Sequence, residues 1–103
     1  MRALFHPDLE GVPLATVLHA MSDPDRLALL RNLDGAAEGL SCTESCGVMR
    51  LPKSTLANHY RVLREAGLVR SRPDGKQVIN TLRRPEVEAR FPGLLDAVLR
   101  AAA

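Results

Sequence analysis

The sequence predicts a mainly α chain with one small β-hairpin, and three stretches carry that prediction. Residues Pro52 to Val69 read as an amphipathic helix that stops at Gly67 and runs into an apolar strand. Just upstream, Ser41-Cys42-Thr43-Glu44 is a capping box, so a further helix starts there. Pro73-Asp74-Gly75-Lys76 is a turn signal between two strand-like runs. Together they predict one domain over 1–103, with a helix-turn-helix at 41–66 and a basic hairpin, or wing, at 68–82.

Residues 1–12 are expected to form an irregular arm, because Pro7 and Gly11 interrupt any helical run. Residues 13–21 form a short apolar helix, with Leu14, Val17, Leu18 and Met21 at three-and-four spacing. Asp23 caps the next helix and Pro24 fits its first position. That helix spans 24–33, with Leu27, Leu30 and Leu33 facing the core; Gly35 to Gly39 is a loop. The capping-box helix runs to about residue 49, and Arg50-Leu51-Pro52 is the turn. In the following helix Leu56, Val62 and Leu63 form the inner face. Strands are expected at 68–72 and 77–82. Pro85 opens a last helical region, which breaks near Phe91 and restarts at Pro92 to run over 92–102.

Charge separates along the chain. The net charge of +2 hides a segment, residues 50–76, with seven basic and two acidic side chains, against three basic and seven acidic in residues 1–49. The excess thus falls on the second helix of the pair and the strands after it, the footprint of a polyanion binder. A solvated basic face is the bland alternative. Aromatics are only 3% of residues, which disfavours a binder that stacks single-stranded bases. No apolar run approaches the roughly 18 residues of a membrane span, and no signal segment opens the chain, so a cytoplasmic location is expected.

The helix from Lys53 carries Ser54, Thr55, Asn58 and His59 on its outer face. Short hydrogen-bonding groups at a helix tip suit the edges of bases in a major groove, with Lys and Arg on phosphates. Thr55, Asn58 and His59 are the expected base readers, Asn being suited to adenine. Lys53, Ser54, Arg61, Arg72 and Lys76 are the expected phosphate anchors. At the chain's two ends, Leu14, Val17 and Leu18 form one apolar stripe and Phe91, Leu94, Leu95, Val98 and Leu99 another. The second exceeds what a terminal helix of a monomer needs, and the two stripes are expected to meet across a homodimer.

Three segments resemble the winged-helix regulators of the ArsR/SmtB family: Ala20 to Leu30, Lys53 to His59 and Val62 to Val69. The resemblance covers nearly the whole chain. It implies homodimeric repressors that dimerise through the first and last helices, bind palindromic operators on double-stranded DNA and leave when an inducer binds. Where many members have Ser as the cap of the recognition helix, this chain has Pro52, which cannot cap with a side chain.

The family's metal-ligand sets are not reproduced. Aligned on Glu44, Cys42 falls between the two usual cysteines, although Cys46 matches a third used by some arsenic sensors. Residues 84–103 contain no His, so the last-helix zinc or nickel set is missing. Cys42 and Cys46 remain, at i and i+4, with Cα atoms about 6 Å apart. Cys42 at a helix N-terminus is expected to favour a thiolate. The pair then reads either as a redox or soft-metal sensor, arsenite included, or as two cysteines that only pack. Otherwise no cofactor is expected. His59 is assigned to DNA, His19 to a core or dimer boundary, and His6 has no local partner; no metal site follows from three isolated histidines.

No phosphate loop, nucleophile elbow or His-Glu-x-x-His occurs, so no enzymatic activity is expected. The residues point to a sequence-specific DNA-binding regulator, with a winged helix used for protein–protein contact as the alternative.

Overall fold

The computed structural model describes residues 4–102. The helices are α1 (Leu14–Ala20), α2 (Pro24–Asp34), α3 (Cys42–Met49), α4 (Lys53–Glu65), α5 (Arg84–Arg90) and α6 (Leu94–Ala101), and the strands are β1 (Leu40–Ser41), β2 (Val69–Asp74) and β3 (Gln77–Leu82). The strands pair antiparallel in the order β1-β3-β2. Leu40 sits opposite Asn80, and Val69 opposite Leu82. β1 was not expected; two residues are too short for a period to register, and only pairing with β3 makes them a strand.

Local chemistry explains most boundaries. The Asp23 carboxylate accepts from Asp25 N at 2.8 Å and Arg26 N at 3.1 Å, with Pro24 in the first turn of α2. Ser41 and Glu44 close their capping box at 3.1 and 2.8 Å. α4 ends in a Schellman motif: Leu68 N donates to Leu63 O and Gly67 N to Arg64 O, both at 3.0 Å, with Gly67 at φ +83°. The wing turn is tighter than expected. β2 runs through Pro73 and Asp74, leaving Gly75 (φ +62°) and Lys76 as a two-residue loop. Pro73 is tolerated because β2 is an edge strand. At the other end, Gly93 rather than Pro92 precedes the final helix, as its N-cap at φ +81°.

The core gathers Val17 and Ala20 of α1, Leu29, Leu30 and Leu33 of α2, Leu56 and Leu63 of α4, and Leu68, Val69, Val87 and Leu95. Leu27 and Val62, expected inside, are half-buried at its edge. The arm is less irregular than expected. A 3-10 turn at Leu9–Gly11 buries Leu9 and Val12 in the core. Residues 1–3 of the expected arm lie outside the described residues. Arg84 ties the end of the chain to α2, bridging Asp34 at 2.6 Å and Asp96 at 2.9 Å.

Candidate nucleic-acid interface

The two helices of the motif are joined without a glycine. Arg50 takes the left-handed conformation, at φ 56°, and closes α3; Pro52 then stands extended at φ −60° before α4. No side chain caps α4, so its first N–H groups keep no side-chain acceptor. This is the local difference expected from Pro52 in place of a capping Ser.

α4 divides cleanly into faces. Leu56 and Leu63 are fully buried, and the Tyr60 hydroxyl is hydrogen-bonded to Ser45 of α3. Burial raises the Tyr60 phenol above its ordinary pKa, so it stays neutral. On the opposite face Lys53, Ser54, Asn58 and Arg61 are exposed, and Thr55 is half-buried at the edge. Arg61 is engaged in the free protein, donating to Asn58 Oδ1 at 2.7 Å and to Glu65 at 3.1 Å.

His59 does not belong to this face. It is 8% exposed, with Nδ1 3.3 Å from the Arg26 guanidinium and Nε2 3.9 Å from Asp25 Oδ2. The expectation that it reads bases is therefore corrected. One residue beyond Asn58, the helix has turned about 100°, far enough to aim the ring at α2. Ligand atoms of Asp23, Asp25 and His59 lie within 4.8 Å of one another, a spacing that would suit a metal. Arg26 argues against one. A guanidinium only donates, so Nδ1 must accept, the ring proton sits on Nε2, and no lone pair faces the carboxylates.

The wing brings Lys76 to the start of α4. Lys53 and Lys76 border one cleft of about 150 Å³, together with Thr43 and Gln77. Those two exposed polar residues were missed from sequence, since only the fold sets them beside Lys53. Arg72 is exposed near the wing tip, 3.9 Å from Asp74.

Residues 21–72 match the family model described as a helix-turn-helix domain. The chain is 34% identical over 84 residues to the uncharacterized HTH-type transcriptional regulator YceK of Bacillus subtilis (strain 168), covering 82% of this chain and 84% of that one. Among solved structures it is similar to HlyU from Vibrio cholerae N16961, with a TM-score of 0.70 and 31% identity over 84% of this chain and 88% of that one. It is also similar to the transcriptional repressor BigR from Xylella fastidiosa, with a TM-score of 0.68 and 30% identity over 85% and 84% of the two chains. The chain belongs to the helix-turn-helix transcriptional regulators of the ArsR/SmtB type.

This ArsR/SmtB-type chain is thus a DNA-binding transcriptional regulator and not an enzyme. Its two thiols are free and half-buried against the core. Cys42 Sγ lies 4.0 Å from the Lys53 carbonyl. Burial pushes the Cys42 thiol above its ordinary pKa, the neighbouring Cys46 pushes the same way, and Lys53 opposes. The expected thiolate at the helix N-terminus is therefore corrected: Cys42 is half-buried against the core, and that desolvation raises its thiol.

The apolar stripes of the regulator also need correction. Val17 and Leu95 are fully buried in the chain's own core and cannot face a partner. Leu14 and Leu18 remain 46% and 45% exposed, and Phe91, Leu94 and Val98 are half-buried. His19 is exposed on α1, and His6 does have a partner: its Nε2 accepts from Ser71 N at 3.0 Å.

Proposed function

We propose that two copies of this chain bind a palindromic operator as a repressor, each presenting the start of α4 to one major groove, and that an inducer releases them. The observation that carries the reading is the exposed row Lys53, Ser54, Asn58 and Arg61, with the wing's Lys76 across a shared cleft from Lys53. Asn58 and the edge residue Thr55 read bases; Lys53, Ser54, Arg61, Arg72 and Lys76 hold phosphates. Similarity to BigR, a repressor, supports the direction of control. The exposed Leu14 and Leu18, with the half-buried Phe91, Leu94 and Val98, leave apolar surface for a second copy to cover, which supports a homodimer. Such a regulator works where the DNA is, in the cytoplasm. Among the described residues no helix is long and apolar enough to cross a membrane.

Salt titration on a duplex selected from a random pool tests the reading. With about eight phosphates neutralised per dimer, log affinity falls against log salt with a slope of about −7. A protein-interaction module would bind duplex weakly and without that slope.

Sensing of redox change or of a soft metalloid such as arsenite at Cys42 and Cys46 is the second reading. Its support is position, since a group added at Cys42 presses on the first residue of α4. The raised thiol weighs toward two cysteines that only pack. Operator affinity with reductant, peroxide or arsenite, for the native chain and Cys42→Ser, separates the two. Equal affinities throughout remove the thiols from the mechanism.

A further inference from the structure

We infer that His59 is a positioning residue for operator reading: through Arg26 it sets the rotation of α4 against the carboxyl end of α1. The inference rests on α4 being the helix that reads DNA.

One guanidinium makes the link. Arg26 Nε donates to Ala20 O at 2.6 Å and its NH2 to His19 O at 3.5 Å, both carbonyls in the last turn of α1. Cations stabilise that end of a helix. The remaining arm, NH1, reaches His59 Nδ1 at 3.3 Å. Arg26 is itself held at its backbone, because its N–H is one of the two that the Asp23 cap accepts. Asp25, between cap and Arg26, faces the other ring nitrogen at 3.9 Å. The imidazole is thus held at Nδ1 by a donor, with a carboxylate facing Nε2 beyond hydrogen-bond reach.

Rotation is what such a link controls. Leu56 and Leu63 pack α4 against the core with weak directionality, and Tyr60 ties it to α3 through Ser45, so the bond from Arg26 is its polar tie on the side of α1 and α2. A hydrogen bond loses strength steeply with angle and within about 1 Å of stretch. Side-chain tips lie about 6 Å from a helix axis, so a rotation of about 10° moves Asn58 by about 1 Å, enough to break a bond to a base edge. His59 is adjacent to Asn58 in sequence, so what fixes one azimuth fixes the other.

The test compares His59→Leu, His59→Asn and Arg26→Met on a duplex that the native protein selects from a random pool. Affinity for it and for random duplex is measured, with thermal midpoints alongside. Leu fills the site without a hydrogen bond; Asn places an acceptor oxygen where Nδ1 stands. The expected result for His59→Leu is a native-like midpoint and unchanged random-duplex affinity, but a selected-over-random ratio lowered about tenfold. His59→Asn restores most of that ratio, and Arg26→Met lowers it while leaving His59 in place. Combining His59→Leu with Arg26→Met lowers it no further than either alone. Should His59→Leu fail to fold, Arg26→Met and His59→Asn decide alone. An unchanged ratio in Arg26→Met, or equal loss on selected and random duplex, would overturn the inference. If the native chain selects no duplex, the reading of α4 fails first, and this inference with it.

Discussion

Arg61 donates to Oδ1 of Asn58 at 2.7 Å, one turn apart on the exposed face of α4. An Asn that reads adenine uses both ends of its amide, one accepting and one donating. In the free protein Arg61 takes one of the two acceptor positions of that oxygen, leaving the other and both amide hydrogens for a base. Substituting Asn58 by Ala should lower discrimination between operator and random DNA by roughly 1–3 kcal/mol, and leave random-duplex affinity nearly unchanged. Equal losses on both duplexes would remove Asn58 from the reading set.

Lys76 behaves differently because it offers charge, not shape. Lys76→Ala should weaken binding to all sequences alike and make the salt slope shallower by about 2 per dimer, one lost contact from each copy. Anisotropy titrations at several salt concentrations measure this directly, and an unchanged slope would take the wing off the phosphates.

His6 provides a pH dependence whose sign is determined by its bond. Nε2 accepts from Ser71 N–H, so only the neutral ring fits. Burial lowers its pKa from 6.5, and the cations Arg70, Arg64 and Arg83 lower it further. The unfolded chain therefore takes up the proton first as pH falls. The stabilisation from this contact is present above pH 6.5 and is lost as pH drops through 6.5 and then below the folded value. Urea midpoints of native and His6→Ala should differ most above pH 6.5 and converge as pH falls below it. A gap that widens on acidification would contradict the geometry.

Gly67 is constrained twice. Its φ is +83°, and an added Cβ would meet Leu9 Cδ2 at 2.5 Å. Gly67→Ala should therefore cost roughly 1–3 kcal/mol, read as a lower urea midpoint. Gly75→Ala shares the left-handed strain but meets no neighbour within 4 Å, so the comparison isolates the contact with Leu9.

Adjacent residues on α1 separate association from folding. Leu18 is 45% exposed and Val17 is fully buried. Leu18→Glu should shift the sedimenting species to monomer, weaken operator binding and give a thermal midpoint that no longer rises with protein concentration. Val17→Ala should destabilise the fold itself, by about 1–3 kcal/mol. A dimer that survives Leu18→Glu would place the interface elsewhere.

Signals confined to one turn of chain were legible in the sequence. Ser41 with Glu44, Asp23 with Pro24, Gly67, and Gly75 each satisfy or free specific backbone groups within a few residues, and each appears where expected. So does the separation of charge along the chain, because it needs no fold to exist. Side-chain direction at the edge of a stripe was not legible. His59 and Asn58 both look polar and helical in sequence, and only the approach of α2 turns one of them inward. Val17 shares three-residue spacing with Leu14, and Leu95 with Val98, yet the core takes Val17 and Leu95 and leaves Leu14 and Val98 nearer the surface. The Cys42 thiol followed the same rule: its position in the helix favoured a thiolate, and its burial decided otherwise.

Sequence by itself therefore determined where the helices start and stop, which helix carries the short polar row, and where the positive charge lies, since caps, turns and periodicity act over a few residues. Tertiary structure alone decided that His59 faces Arg26, that Lys76 stands beside Lys53 and that His6 closes on Ser71. Those partners are 33, 23 and 65 positions apart, and no local preference of the backbone reaches that far.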